Sequence, residues 1–224
     1  MARAPRSIAY FDVDGTLVTR ASMWGFLGYY LVANTEPDRH PAVRERMAVL
    51  RSRRRTRAEE TSALIGNLAG AAVEDVTRLG QEWLRDELRR GDFFHRPTLD
   101  ALRAHQVAGH RIALVSCSLP AVLGPIARLL DVGDVWCTSP EIRNGRYTGG
   151  LCAPPMIGER KASAVLLTAT SNGVDLADCT AYGDHVTDLP MLRTTGRAVV
   201  VGEDSTLTRV ARLHGWHRLP GVPR

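Results

Sequence analysis

Asp12 and Asp14 stand one residue apart, directly after the apolar run Ile8, Ala9, Tyr10 and Phe11, in the stretch Asp12-Val13-Asp14-Gly15-Thr16. In an extended chain alternate side chains share a face, so the two carboxylates point one way and Val13 the other. Like charges held that close repel unless a cation lies between them or one keeps a proton. Gly15 lets the chain turn, and Thr16 offers a hydroxyl and an amide to an anion. The arrangement suits a carboxylate nucleophile beside a carboxyl acid/base, bridged by Mg2+. An ordinary Asp-Gly turn closing a strand would use the same five residues.

Three further groups of residues fall in order along the chain, each predicted at the same sheet edge. Ser116 ends the apolar run Arg111–Ser116 and is followed by Cys117 and Ser118. A hydroxyl and successive backbone amides at a strand-to-helix turn form an anion cradle, although a serine that simply caps a helix looks the same. Lys161 follows Gly158-Glu159-Arg160 near the start of a predicted helix, where positive charge is disfavoured by the helix dipole. Something negative should compensate it there, such as a substrate phosphate, unless the lysine is simply solvated. Last comes Gly183-Asp184-His185-Val186-Thr187-Asp188, in which a helical turn brings Asp184 and Asp188 to one side. Mg2+ prefers such oxygen ligands. His185 is read as a neighbour of the carboxylates rather than a ligand.

These residues need elements to hold them. From about Asp92, strand-like runs at Arg111–Ser116, Asp134–Thr138, Cys179–Tyr182 and Ala198–Val201 alternate with helical patterns at Thr98–Ala108, Leu119–Leu130, Arg160–Ala169 and Ser205–Leu213. Continuous apolar strands alternating with helices predict an α/β fold, a Rossmann-like parallel sheet with helices on both faces. Asn144-Gly145 predicts a two-residue hairpin turn. Between the first and second strands lie only helical patterns: Met23–Val32, Ala42–Arg53, Arg57–Leu68 and Val73–Leu88, with Gly70 and Gly91 as stops. The expected organisation is a discontinuous core, residues 1–19 and 92–224, with an inserted helical cap at 20–91. The cap would sit above the carboxyl ends of the strands, where open parallel sheets bind ligands.

The chain has 224 residues, 44% hydrophobic and 24% charged, enough for one sizeable core with a small insertion. No apolar run is long enough for a membrane span, and no signal-peptide pattern precedes Ile8. Cys117, Cys137, Cys152 and Cys179 form no Cys-x-x-Cys pair. Together these features predict free thiols, a cytoplasmic location and no membrane partner. A net charge of +5 fits anionic partners. Much of the excess lies in Arg51, Arg53, Arg54, Arg55 and Arg57, which either steer an anion toward a cleft or form a solvated surface. No aromatic residue lies between Glu36 and Gln81 for base stacking, so a nucleic-acid partner is not expected.

The ordered set resembles the haloacid dehalogenase superfamily, in particular its phosphoserine-phosphatase-like branch. The matching pieces are DVDGT at Asp12–Thr16, LVS at Leu114–Ser116, the lysine of GERKA, GDHVTDLPML from Gly183, GRYTGGL at Gly145–Leu151 and the closing GWHRLPG. The resemblance implies a Mg2+-dependent hydrolysis of a small phosphorylated metabolite through an aspartyl-phosphate. It makes Asp12 the nucleophile and Asp14 the acid and then base. Ser116, Cys117 and Lys161 would bind the phosphate, and Asp12, the Asp14 main-chain carbonyl and Asp184 the metal. Asp188 and Thr187 would support them from behind.

Two positions depart from that branch. Phosphoserine phosphatases carry a cap-entry glutamate for the serine amino group, and by spacing its place is Ala21; Thr187 stands where asparagine is common. The expected substrate is therefore another small organic phosphate, with Trp24, Phe26, Tyr29 and Tyr30 as a pocket wall or as cap packing. Phosphoserine hydrolysis with a relocated amino-group ligand, phosphoryl transfer to an alcohol, and non-catalytic binding of a phosphorylated ligand remain the alternatives.

Overall fold

The computed structural model describes residues 7–35, 37, 40–52 and 55–222. Its elements run in the order β1 (Ile8–Phe11), α1 (Ser22–Ala33), α2 (His40–Ser52), α3 (Arg57–Gly66), α4 (Val73–Arg90), α5 (Arg96–Val107), β2 (Arg111–Val115), α6 (Pro120–Leu129) and β3 (Asp134–Trp136). There follow β4 (Pro140–Arg143), β5 (Arg146–Leu151), α7 (Glu159–Asn172), β6 (Thr180–Gly183), α8 (Leu189–Thr194), β7 (Arg197–Val201), α9 (Ser205–His214) and β8 (His217–Leu219).

Six strands form one sheet in the order β3-β2-β1-β6-β7-β8, every neighbouring pair parallel. With the β4–β5 hairpin set aside, this is the doubly wound order whose direction of growth reverses between the first and fourth core strands. Here that switch point lies between β1 and β6. Both sheet faces are covered, which is why the strands read as unbroken apolar runs. Ala9, Phe11, Leu114 and Val199 pack with α5 and α6 on one side; Ile8, Tyr10, Ala181 and Val200 pack with α7, α8 and α9 on the other. Among the described residues no helix is long and apolar enough to cross a membrane.

Four helices stand between β1 and α5 as one helical block, with α1 in contact with α2, α3 and α4. Thr56 opens α3 with a capping box: its hydroxyl accepts from the Glu59 amide while the Glu59 carboxylate accepts from the Thr56 amide. Phe26, Trp83 and Phe93 pack edge-on in the interior of this block. The hairpin turn falls at Asn144-Gly145, both at positive φ, as a type I′ turn requires.

One expected helix end is corrected, and one strand had no expectation. Helix α3 ends at Gly66 rather than Leu68, because the segment after it leaves the helix to pair with the hairpin. The Gly70 amide donates to the Tyr147 carbonyl at 2.8 Å, the Tyr147 amide to the Ala71 carbonyl at 3.0 Å, and the Val73 amide to the Gly145 carbonyl at 2.9 Å. Strand β8 has no strand pattern of its own. Three residues at a sheet edge, with one side open to solvent, carry too little alternation to be read. Arg53, at the end of the expected Ala42–Arg53 helix, and Arg54 lie outside the described residues.

Candidate active site at the sheet switch point

The site begins where β1 ends. The Asp12 amide donates to the Tyr182 carbonyl at 3.0 Å, so the strand pairing that closes the switch point also fixes the first carboxylate. Gly15 then turns the chain at φ +85, and a Cβ there would lie 2.4 Å from an oxygen of Asp184. Only glycine gives that turn its close approach to the fourth motif. Thr16 does not present its hydroxyl to an open anion site as expected: it donates to Asp184 Oδ1 at 3.0 Å.

Lys161 is 2% exposed and donates from Nζ to Asp12 Oδ1 at 2.5 Å and to Asp188 Oδ1 at 2.7 Å. Burial opposes its charge, but the carboxylates of Asp12 and Asp188 outweigh burial and hold the ammonium well above its usual range. The negative partner demanded by its place in the first turn of α7 is thus supplied by the protein itself. Asp188 Oδ2 accepts from the His185 amide at 3.1 Å, so both its oxygens are engaged.

Asp14 Oδ2 accepts from the Ser22 amide at 3.0 Å, which ties the first turn of α1 to the carboxylate pair. Burial, aided by Asp12 and opposed by Ser22, pushes the Asp14 carboxyl up to about 6. Burial, with Asp12 and Asp188 adding to it, pushes Asp184 up to about 8. Asp12 Oδ2 and Asp14 Oδ1 are buried with no hydrogen-bond partner among the described residues. Asp12, Asp184 and Asp188 each place an oxygen within 4.8 Å of the others. An all-oxygen set with orphaned lone pairs fits a hard divalent cation. Since Asp188 is occupied by Lys161 and His185, the open oxygens are those of Asp12 and Asp184.

Beside this cluster, Ser116 and Ser118 are fully buried after β2. Ser116 Oγ accepts from the Ser118 amide at 3.1 Å, and the Ser22 hydroxyl donates to Ser118 Oγ at 3.2 Å. Cys117 lies between them; burial first, then Asp14, pushes its thiol up to about 12. It is therefore a neutral group at any ordinary pH. His185 and Thr187 pair with each other, the Thr187 amide donating to His185 Nδ1 at 3.2 Å, and no hydrogen bond of either side chain reaches the carboxylate cluster.

Residues of the helical block also converge here. Arg57 was readable only as part of an arginine run, yet it is singled out by position at the start of α3. Burial would lower its guanidinium, but Asp12, then Cys117, Asp184 and Asp188, hold it above its usual range. Arg51 instead lies 5.0 Å over the Trp24 ring, and Arg55 donates to the Leu50 carbonyl. Phe26 is buried in the block, whereas Trp24 donates to Glu60 and Tyr29 and Tyr30 are half-buried. Ala21 is exposed and precedes the first turn of α1.

Comparison with known proteins agrees with this architecture. The chain is 32% identical over 229 residues to a probable phosphatase of Mycobacterium tuberculosis, covering 94% of this chain and 74% of the relative. It is 29% identical over 214 residues to a phosphoserine phosphatase of the same organism, covering 93% and 68%. A crystal structure of a Bordetella pertussis protein of unknown function superimposes with a TM-score of 0.84 at 28% identity, covering 96% of this chain and 98% of that one. Residues 9–193 match the haloacid dehalogenase-like hydrolase family, a span that takes in all four groups of site residues. On that match, the chain belongs to the haloacid dehalogenase-like hydrolases.

Proposed function

We propose that the protein is a Mg2+-dependent phosphatase acting on a small organic phosphomonoester through an aspartyl-phosphate on Asp12. The observation that carries this reading is the meeting of the Lys161-bound Asp12 with Asp14 and Asp184 at the crevice between β1 and β6. In the first step an oxygen of Asp12 bonds to phosphorus as the ester P–O bond breaks, and Asp14 gives its proton to the leaving oxygen. In the second, Asp14 takes a proton from water as the water oxygen displaces Asp12 from phosphorus. An acid of pKa about 6 is well poised for both roles. Ser116, the backbone at Cys117 and Lys161 hold the phosphoryl oxygens. Asp12, the Asp14 main-chain carbonyl and Asp184 would hold Mg2+, which when bound neutralises charge on the transferring group. Asp188 acts by holding Lys161, and Thr187 acts only through His185.

Residues 20–91 serve as the cap over a core of residues 1–19 and 92–224, and the cap selects the leaving group. Ala21 gives no carboxylate to pair with a substrate ammonium, and an unpaired buried charge is costly. Arg57 offers a cation instead, which favours a leaving group with an anionic or hydrogen-bond-accepting substituent. Phosphoserine is therefore a poor substrate beside at least one sugar, polyol, nucleotide or other metabolite phosphate. The test is phosphate release across such a panel with Mg2+, then with EDTA, for wild type and Ala21→Glu. Activity that needs Mg2+ supports the assignment, and Ala21→Glu moves selectivity toward phosphoserine. Full activity in metal-free protein, or phosphoserine as the best wild-type substrate, contradicts it.

A further inference from the structure

The first residues of β6, β7 and β8, namely Thr180, Arg197 and His217, open onto a second cavity of about 560 Å³. Because the strands are parallel, this cavity lies at the edge of the sheet opposite Asp12 and Asp184. His105 of α5, His110 just before β2 and His214 at the end of α9 complete its polar lining. Four imidazoles and one guanidinium thus surround one hollow, and among the described residues no carboxylate lines it.

The histidines are organised rather than scattered. His105 Nδ1 and His110 Nδ1 share a hydrogen bond of 2.7 Å, and His105 Nε2 lies 2.9 Å from the Tyr182 hydroxyl. His214 stacks on Trp216 at 5.5 Å, giving the cavity a flat wall. Burial pushes His105 down to about 4, and the nearby His110 and Arg197 push it the same way. Asp131 and Asp134 border His110 only from a separate hollow shared with Arg103 and Arg111, where Arg111 holds Asp134. A hollow lined by imidazoles and a guanidinium, with no carboxylate among its described lining residues, is complementary to an anion. The imidazolium form donates from both nitrogens and arginine from its fork, a donor set suited to tetrahedral oxygens.

We infer that this hollow is a binding site for a tetrahedral oxyanion of the phosphate or sulfate class, favoured when the imidazoles other than His105 carry a proton. The site is independent of the activity assigned to Asp12. By linkage, an anion that binds the protonated form binds more tightly as pH falls through the imidazole range. The experiment follows histidine ring signals by NMR while the full-length protein is titrated with sulfate, whose charge is constant, at about pH 6 and about pH 8 and fixed ionic strength. His185, beside the carboxylate cluster, reports any anion at the Asp12 centre separately.

The rings of His105, His110, His214 and His217 should shift saturably, with affinity at least about tenfold higher at the lower pH. Arg197→Gln, and independently His217→Asn, should abolish those shifts while any response of His185 persists. Rings that do not respond, equal affinity at the two pH values, or shifts that survive both folded variants would overturn the inference.

Discussion

Lys161 is a buried lysine held between two buried carboxylates, Asp12 and Asp188. Replacing Lys161 with Met leaves Asp12 and Asp188 without their shared partner, and losing one member of a buried ion pair costs about 3–5 kcal/mol. Urea denaturation should register that loss directly, as a fall in the midpoint with little change in slope. The asymmetric environment of Asp14 makes a separate prediction. Asp14→Asn cannot protonate a leaving oxygen, so kcat/KM, which reports the phosphoryl transfer to Asp12 and not the later attack of water, should fall by at least about a hundredfold for an alkyl phosphate and far less for p-nitrophenyl phosphate. Equal losses for the two substrates would remove Asp14 from the acid role. Most of these residues were legible in the sequence, because paired carboxylates and a lysine in the first turn of a helix are unusual enough to demand an explanation. Arg57 was not, since five arginines in seven positions give no sign that this one faces the carboxylate cluster. Thr16 was misassigned because sequence spacing does not say that Asp184 will approach its hydroxyl.

At the scale of elements, the helical block reaches the site through two helix starts. The Ser22 amide in the first turn of α1 holds Asp14, and the Thr56 cap of α3 seats Arg57 in the next position. Thr56→Ala should therefore cost about 1 kcal/mol of stability. It should also raise KM for the preferred substrate more than it lowers kcat if, as proposed, Arg57 faces the leaving group rather than the reacting phosphorus. Steady-state kinetics beside a denaturation curve checks both. An unchanged KM would detach α3 from substrate recognition. The parallel strands were readable because both faces of the sheet are buried and the runs are unbroken. The end of α3 was not, because tertiary hydrogen bonds from the β4–β5 hairpin, 76 residues away between Gly70 and Arg146, compete for that backbone.

At the scale of the whole molecule, the strand order brings residues distant in sequence to one crevice. Asp12 and Asp184 follow neighbouring strands, β1 and β6, and the growth of the sheet reverses between them. Long-range pairing is not encoded in any single stretch, so the sequence foretold a parallel sheet without dictating which strands adjoin. The same order sets the cationic hollow at the far edge, a feature with no motif, assembled from α5, α9 and the starts of three strands. In the proposed mechanism this crevice makes Asp12 a phosphoryl acceptor. Rapid quenching of a turning-over reaction into borohydride, which reduces an acyl phosphate to an alcohol, followed by peptide mass spectrometry, tests it most directly. Asp12 should be converted to homoserine only with substrate and Mg2+ present. An unmodified Asp12 during turnover, or an Asp12→Asn variant that keeps its activity, would contradict it.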